Sequence, residues 1–115
     1  MPAKGYFIRI EESQGNYVFQ LWYTNKQPMG YSKPYCSYKE CLEGIWSFKK
    51  HLKENNPTEG NGLVRILKRG SRQYVYEFYD LEGHAVYTSR NIETARNCKS
   101  SMLSTCKNFP DTNIR

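Results

Sequence analysis

The side chains that could take part in catalysis are few in this chain. Its 115 residues include two histidines, His51 and His84. Neither histidine lies beside a serine, cysteine or aspartate in a recognised nucleophile motif, and we interpret both as surface residues. The sequence therefore predicts no catalytic residues and a protein that is not an enzyme, although a triad assembled by the fold would leave no sequence motif.

The cysteine spacing does not indicate a metal site. Cys36 and Cys41 enclose four residues, and Cys98 and Cys106 enclose seven, whereas tight Cys-x2-Cys pairs are typical of structural zinc sites. We interpret Cys41 and Cys98 as small buried hydrophobic residues. The sequence leaves open whether these two thiols lie close to each other across a shared core. This cysteine spacing leads us to expect no metal. Residues 60–62 (Gly-Asn-Gly) lack the Gly-Lys-Ser/Thr of a phosphate-binding loop, and we expect no cofactor.

Nucleic-acid binding is the strongest functional alternative on charge. The net charge is +6, and aromatic residues make up 15% of the chain. Candidate contacts are Lys68, Arg69 and Arg72, which lie beside the aromatic stretch 74–79 and could form a cationic rim around stacked bases. The charge is not concentrated, however, because the halves before and after residue 57 carry equal excesses of positive charge. A nucleic-acid partner is therefore possible but not favoured.

The elements that would position these residues are predicted to occur twice. Shifting the sequence by 57 positions aligns Tyr17-Val18 with Tyr74-Val75, and Ser32 with Ser89. The same shift pairs Cys41 with Cys98, Phe7 with Val64 and Ile10 with Leu67. The turn and helix signals recur in the same order in both copies.

Each copy is predicted to contain three strands and one helix. Alternating residues and turn formers indicate strands at 6–12, 17–23 and 29–32, with turns at 13–16 and 25–28. Ser37 and Glu40 form a capping box for a helix whose apolar stripe is Cys41, Ile45, Phe48 and Leu52. The second copy has strands at 63–69, 73–79 and 84–89. Its helix is capped by Thr94 and has the stripe Ala95, Cys98, Met102 and Cys106.

The aromatic residues of the two central strands are the predicted core. These residues are Tyr17, Phe19, Leu21, Tyr74, Tyr76 and Phe78. Tyr23 continues the same alternation, so Trp22 and its counterpart Tyr79 point to the other face of the sheet. We expect Ile45, Trp46 and Phe48 of the first helix to cover that face. The alternative is an exposed aromatic patch for a protein partner.

The element order, with Ser32-Lys33-Pro34-Tyr35 before the helix and Gly44-Ile45 within it, resembles the YegP-like family. The resemblance extends over about residues 5–108, with Ile92 replacing the Tyr and Ser101-Met102 replacing the Gly-Ile in the second copy. It implies tandem β-β-β-α repeats, an antiparallel sheet packed with helices, a bacterial cytoplasmic setting and an unknown function. It implies no catalytic residues.

The fold class predicted from these features is α+β, with two tandem repeats around a pseudo-two-fold axis. The repeats occupy 5–54 and 62–108 of one domain and are joined by a solvated linker. Residues 109–115 are expected to form a loose tail, of which only Phe109 could pack into a groove of the domain. No run of membrane-helix length is present, so a cytoplasmic protein without a membrane partner is expected. A monomer is expected because the two repeats already form an internal two-fold pair. The favoured function is a non-enzymatic binding or accessory protein, and the alternative is a single-stranded nucleic-acid-binding module.

Overall fold

The computed structural model describes residues 4–24 and 27–115, so Asn25 and Lys26 of the predicted turn at 25–28 lie outside the described residues. The elements in chain order are β1 Tyr6–Ser13, β2 Asn16–Tyr23, β3 Pro28–Ser32, α1 Tyr38–Asn55, β4 Val64–Gly70, β5 Gln73–Tyr79, β6 Ala85–Ser89 and α2 Ala95–Asn108. Short 3-10 turns lie at Glu59–Asn61 and Phe109–Asp111.

Within the described residues, the strands form one six-stranded antiparallel sheet in the order β1-β2-β3-β6-β5-β4. The third strands of the two halves pair with each other and join the sheet at its centre, where Gly30 lies opposite Ser89. Gly30 has no room for a side chain because the Tyr87 ring and the Thr88 carbonyl occupy that space. The predicted α+β class with an antiparallel sheet is confirmed, while the two-fold relation between the halves stays a prediction.

The helices begin at the residues that the capping pattern predicts. Ser37 accepts a hydrogen bond from the Glu40 backbone N–H in α1, and Thr94 accepts one from Asn97 in α2. The Glu40 carboxylate accepts from the N–H of Cys36, one residue before the position that a complete capping box uses. Side-chain oxygens thus satisfy backbone donors that the first turn of a helix leaves free.

Both helices pack on one face of the sheet, where the core lies. The predicted stripe of α1 is buried, as are Phe19, Leu21, Tyr76 and Phe78. Tyr17 and Tyr74 are half-buried against this core. Two expectations about the stripe of α2 are wrong: Ala95 is exposed, and Thr105 rather than Cys106 is the third buried residue beside Cys98 and Met102. Tyr23 shares the face of Leu21, as the alternation predicts, but is exposed.

A bulge in β4 shifts the alignment of the two halves by one residue. Ser13 pairs with Asn16, and Gly70 pairs with Gln73, as a constant shift requires. Arg69 is an extra residue in β4, because the register jumps between Lys68 and Gly70. Before the bulge the counterpart of Ile8 is therefore Val64, and both side chains are fully buried. The predicted pairs Phe7 with Val64 and Ile10 with Leu67 are displaced by one position.

The segment 109–115 is packed, and the expectation of a loose tail is wrong. Phe109 is fully buried against Phe19 and Phe48. Further on, Ile114 forms a parallel bridge with Ile8 at the outer edge of β1. The Ile8 N–H donates to Asn113 O at 2.8 Å, and the Arg115 N–H donates to Ile8 O at 2.8 Å.

The linker between the halves is also more ordered than the sequence suggests. Pro57 is buried, and Thr58 caps the short turn at Glu59–Asn61 with reciprocal hydrogen bonds to Asn61. Among the described residues, no helix is both long and apolar enough to cross a membrane.

Candidate binding surface on the open sheet face

The sheet face opposite the helices is not covered by either helix. The expectation that α1 covers it is wrong, because Phe48 packs on Phe19 and therefore lies on the core face. Trp46 is 58% exposed on the outer side of α1. Trp22 follows the buried Leu21 in β2, so its side chain points to the uncovered side. We call this uncovered side the open face.

One row of directly paired residues crosses all the described strands on the open face. The row runs Arg9, Gln20, Tyr31, Thr88, Glu77 and Arg65. Directly opposed residues of an antiparallel sheet share a face, so their side chains form one continuous strip. Tyr31, at the centre of the strip, is 42% exposed. Tyr31 is the single aromatic residue among the six.

Arginine side chains lie over aromatic rings at both ends of the strip. The Arg9 guanidinium carbon is 5.7 Å from the centre of the Trp22 ring, and that of Arg65 is 5.4 Å from the Tyr79 ring. On the β1 side, the Phe7 ring stacks on Trp22 with centroids 5.8 Å apart. These contacts are in the range of cation–π attraction and aromatic packing. They hold cationic groups beside flat apolar surfaces.

Hydrogen bonds orient the polar side chains between these rings. The Trp22 indole N–H donates to Gln20 Oε1 at 2.8 Å, and the Gln20 amide donates to Glu11 at 2.7 Å.

On the other half, Glu77 accepts from the hydroxyl of Tyr79 at 2.8 Å and from that of Thr88 at 3.0 Å. Partial burial and the hydrogen bond to the Glu77 carboxylate raise the pKa of Tyr79 above its ordinary value. The phenol therefore stays protonated and keeps donating.

Positive charge exceeds negative charge on the open face. Its arginines are Arg9, Arg65, Arg69 and Arg115, and its carboxylates are those of Glu11 and Glu77. Glu77 is paired with Arg69 at 3.4 Å. Arg115 lies over the outer side of the Phe7 ring at 4.3 Å, a position that the packed 109–115 segment provides.

The three predicted nucleic-acid contacts are not brought together. Lys68 lies opposite Tyr74 on the side of the sheet that carries the helices, with its ammonium group 5.9 Å from that ring. Arg69 is the bulge residue and reaches Glu77 on the open face. Arg72 lies in the β4–β5 turn with a positive φ of 58° and pairs with the exposed Glu93. Of the three, Arg69 alone contacts the strip.

The residues that the sequence interpretation missed are Arg9, Tyr31 and Arg65. Alternation within each strand assigns them to the face that carries Trp22, but it does not show which face the helices leave open. The signal that could have found the two arginines is their position opposite a residue that stands two places before an aromatic residue on the neighbouring strand. Arg9 lies opposite Gln20, two places before Trp22, and Arg65 lies opposite Glu77, two places before Tyr79. That signal becomes visible only when the pairing register is known.

The histidines and cysteines occupy separate structural positions. His51 is half-buried rather than a surface residue, since it bonds to Tyr79 O at 2.8 Å and to the Asn55 amide at 2.9 Å. It joins α1 to the end of β5. Cys41 and Cys98 are buried free thiols, as the sequence predicts for small core residues. In the part of the chain that the structure describes, no group of three potential metal ligands is present.

A groove of about 600 Å³ lies between α1 and the β5–β6 turn. Tyr35 and Phe48 line its inner part, and Glu43, Lys50 and Asp80 lie at its border. Burial acts to raise the Asp80 pKa, but hydrogen bonds from the backbone N–H groups of His84 and Glu82 lower it below the ordinary value. This carboxylate therefore orders the turn and is not poised to transfer protons near neutral pH.

Comparison with solved structures identifies the fold. No family model and no curated protein matches the sequence. A UPF0339 protein from Shewanella oneidensis has a TM-score of 0.78 at 13% identity, covering 96% of this chain and 90% of that chain. The protein of unknown function yegP from E. coli has a TM-score of 0.78 at 13% identity, covering 100% of this chain and 95% of that chain.

The chain has a YegP-like fold. The resemblance predicted from the sequence is therefore confirmed for the fold. The E. coli protein is itself described as a protein of unknown function. A YegP-like fold assigns no chemistry by itself, because function depends on the side chains that a fold displays. For this chain those side chains are the ones on the open face.

Proposed function

We propose that this chain is a non-enzymatic binding protein and that its open face is the binding surface. The observation that carries the proposal is the six-residue strip from Arg9 to Arg65, which crosses the sheet without a covering helix. The strip combines exposed aromatic surface with cationic groups, which suits binding of an anionic ligand that contains planar rings. His51 joins α1 to the end of β5 through bonds to Tyr79 O and the Asn55 amide, which gives it a structural position.

Single-stranded nucleic acid is the ligand class that the open face favours. A base can stack on the exposed Tyr31 ring, while Arg9 and Arg65 lie at the two ends of the row to meet phosphates. Thr88, which pairs with Tyr31, is half-buried, and its hydroxyl can accept at the level of a base edge while it donates to Glu77. Aromatic rings on an open sheet face with basic residues around them form a common arrangement for single-strand recognition.

The setting proposed for this function is a bacterial cytoplasm, with the protein acting as a monomer. Four cysteines without a disulfide accord with a reducing compartment. The two halves share one hydrophobic core, to which the first contributes Phe19 and the second contributes Phe78. A shared core of this kind accords with a chain that needs no second copy to complete it.

Tryptophan fluorescence can test the ligand class directly. The chain has two tryptophans, so Trp46→Phe leaves Trp22 as the reporter on the open face, and Trp22→Phe leaves Trp46 as the reporter on α1. Titration with an oligodeoxythymidine of about ten nucleotides should change the emission of Trp22 and leave that of Trp46 unchanged. The affinity should fall steeply as NaCl is raised, because binding releases counterions.

Matched charge variants locate the contact. Tyr31→Ala should weaken binding about tenfold or more, since stacking on one ring contributes roughly 1–3 kcal/mol per base. Arg9→Gln with Arg65→Gln should lower the salt dependence, whereas Lys39→Gln with Lys99→Gln removes the same charge from exposed helix positions and should have a small effect. No binding at low salt, or equal losses in the two double variants, would overturn nucleic acid as the ligand.

A further inference from the structure

The outer edge of β4 differs from the outer edge of β1 on the opposite side of the sheet. At β1, the chain's own segment 113–115 pairs with Ile8 through two backbone hydrogen bonds. Within residues 4–24 and 27–115, no strand or bridge pairs with the outer edge of β4. Val64 of β4 is the register counterpart of Ile8, so equivalent residues begin the two edges. Of these two edges, a further segment of the described chain pairs only with that of β1.

The hydrogen-bonding phase of β4 shows which backbone groups point outward. The Tyr79 N–H donates to Leu63 O at 2.9 Å, so Leu63 faces β5. In an antiparallel pair, alternate residues direct their N–H and C=O groups to the partner, and those between direct theirs away. Ile66 and Lys68 therefore present backbone donors and acceptors outward. Val64 does too, but it is fully buried, so the accessible stretch begins at Ile66.

The side chains along this edge are basic on both faces of the sheet. Arg65 projects on the open face, Lys68 projects on the helix side, and both are exposed. Between them, Ile66 is half-buried and offers apolar surface. A second copy of β4 would bring a second set of these cations to the same edge, and like charges close together across paired strands are destabilising. The Arg69 bulge also ends the regular edge, a common way of preventing self-pairing.

We propose that the β4 edge binds an extended acidic peptide segment of a partner protein by strand addition. The backbone groups of Ile66 and Lys68 supply the main-chain hydrogen bonds, as in other strand-addition complexes. An apolar partner residue lies beside Ile66, and acidic residues lie beside Arg65 and Lys68. The basic residues thus reject another copy of the chain and favour an acidic strand, so that one set of charges provides both effects.

The probe is a capped synthetic peptide with a central Glu-Thr-Ile-Glu segment. Added antiparallel to β4, it places its glutamates beside Lys68 and Arg65 and its isoleucine beside Ile66, because successive strand residues alternate between faces. A lysine-for-glutamate peptide is its counterpart. Titration into isotopically labelled protein should shift the amide signals of Ile66 and Lys68 and slow the hydrogen exchange of those two amides. Shifts confined to the open face or to the groove beside α1 would overturn the proposal. So would concentration-dependent pairing of β4 with a second copy in the absence of peptide.

Two variants separate strand addition from a general charge effect. Ile66→Pro removes an outward N–H that β5 does not use, and Pro is tolerated on edge strands; it should abolish peptide binding. Ile10→Pro is the matched control, since Ile10 is the register counterpart of Ile66 on β1 and its loss should leave peptide binding intact. Equal binding by the two variants would overturn the proposal.

A charge exchange tests the same edge if Ile66→Pro does not fold. Lys68→Glu should weaken binding of the acidic peptide roughly threefold to fivefold, the scale of one exposed ion pair, and should strengthen binding of the lysine peptide. Unchanged preference between the two peptides would count against the proposal. Because Lys68 lies on the helix side, this variant leaves the oligonucleotide titration as an independent test of the open face.

Discussion

The hydroxyl of Ser32 accepts a hydrogen bond from the backbone N–H of Phe19 at 2.9 Å and donates to the carbonyl of Lys33 at 2.8 Å. Ser89 makes the same two contacts in the second half, with the N–H of Tyr76 at 2.9 Å and the carbonyl of Arg90 at 2.8 Å. Each serine thus supplies an acceptor to the backbone N–H of a core residue, Phe19 or Tyr76, whose side chain is fully buried. Ser32 and Ser89, which the 57-residue shift aligns in the sequence, therefore make equivalent hydrogen bonds in the structure.

Removing either hydroxyl should destabilise the fold. Ser32→Ala leaves the buried Phe19 N–H without its acceptor, which costs about 1–3 kcal/mol of unfolding free energy. Ser89→Ala should cost a similar amount through Tyr76. Urea unfolding followed by circular dichroism measures both, with Ser71→Ala in an exposed turn as the control. A loss no larger than that of the control would show that water or another group replaces the hydroxyl.

The packing of Phe109 predicts that the C-terminal segment belongs to the folding unit. Phe109→Ala removes a fully buried ring that contacts Phe19, Phe48 and Tyr87, and should lower the unfolding free energy by about 3–5 kcal/mol. Leu103→Ala, at a position 54% exposed on α2, should change it by no more than about 0.5 kcal/mol. Denaturant unfolding compares them. Similar small losses in both variants would contradict the packed position of Phe109.

Gly44 in α1 is predicted to tolerate no side chain while Tyr35 is present. A Cβ atom at Gly44 would collide with the hydroxyl and ring of Tyr35. Gly44→Ala should therefore destabilise by about 1–3 kcal/mol, although alanine is the better helix former by about 1 kcal/mol. In the Tyr35→Leu background the same substitution should become neutral or stabilising. A double-mutant cycle measures the coupling, and additive effects would show that the ring is not the obstacle.

Thiol reactivity should distinguish one cysteine from the other three. Burial raises the pKa of Cys41, Cys98 and Cys106 to about 11, so these thiols stay protonated at pH 8 and are shielded from reagents. Cys36 is exposed. Iodoacetamide should modify Cys36 first in the native protein and the others only in denaturant, as read by peptide mass spectrometry. A Cys36→Ser control should lose the fast phase; fast modification of Cys106 would contradict its packing.

Strand and helix positions were accessible from the sequence because they depend on local patterns. The capping serine at 37 and threonine at 94 mark the helix starts, and alternation marks Gln73–Tyr79 with its observed bounds. The β4 register was not accessible, because a bulge adds one residue without a distinct local signal. Aligning the halves by a constant shift therefore displaced the residues before Arg69 by one position.

The candidate site was accessible only in part. Alternation assigned Trp22 and Tyr79 to the face away from the core, but the choice of Lys68, Arg69 and Arg72 relied on proximity in sequence. In the structure, the bulge turns Arg69 toward Glu77 while Lys68 lies on the helix side and Arg72 lies in a turn. Residues adjacent in a strand point to opposite faces, so a cluster of basic residues in sequence does not make a cluster in space.

The sequence by itself determined the order of elements, the α+β class and most of the core, since these follow from periodicity, capping and turn residues close together along the chain. The tertiary structure alone decided that both helices pack on one face, that Phe109 and the 113–115 segment close the core and the β1 edge, and that Arg9, Tyr31 and Arg65 share one strip. These features depend on contacts between residues far apart in the chain, and the free energy of those contacts has no local signature in the sequence.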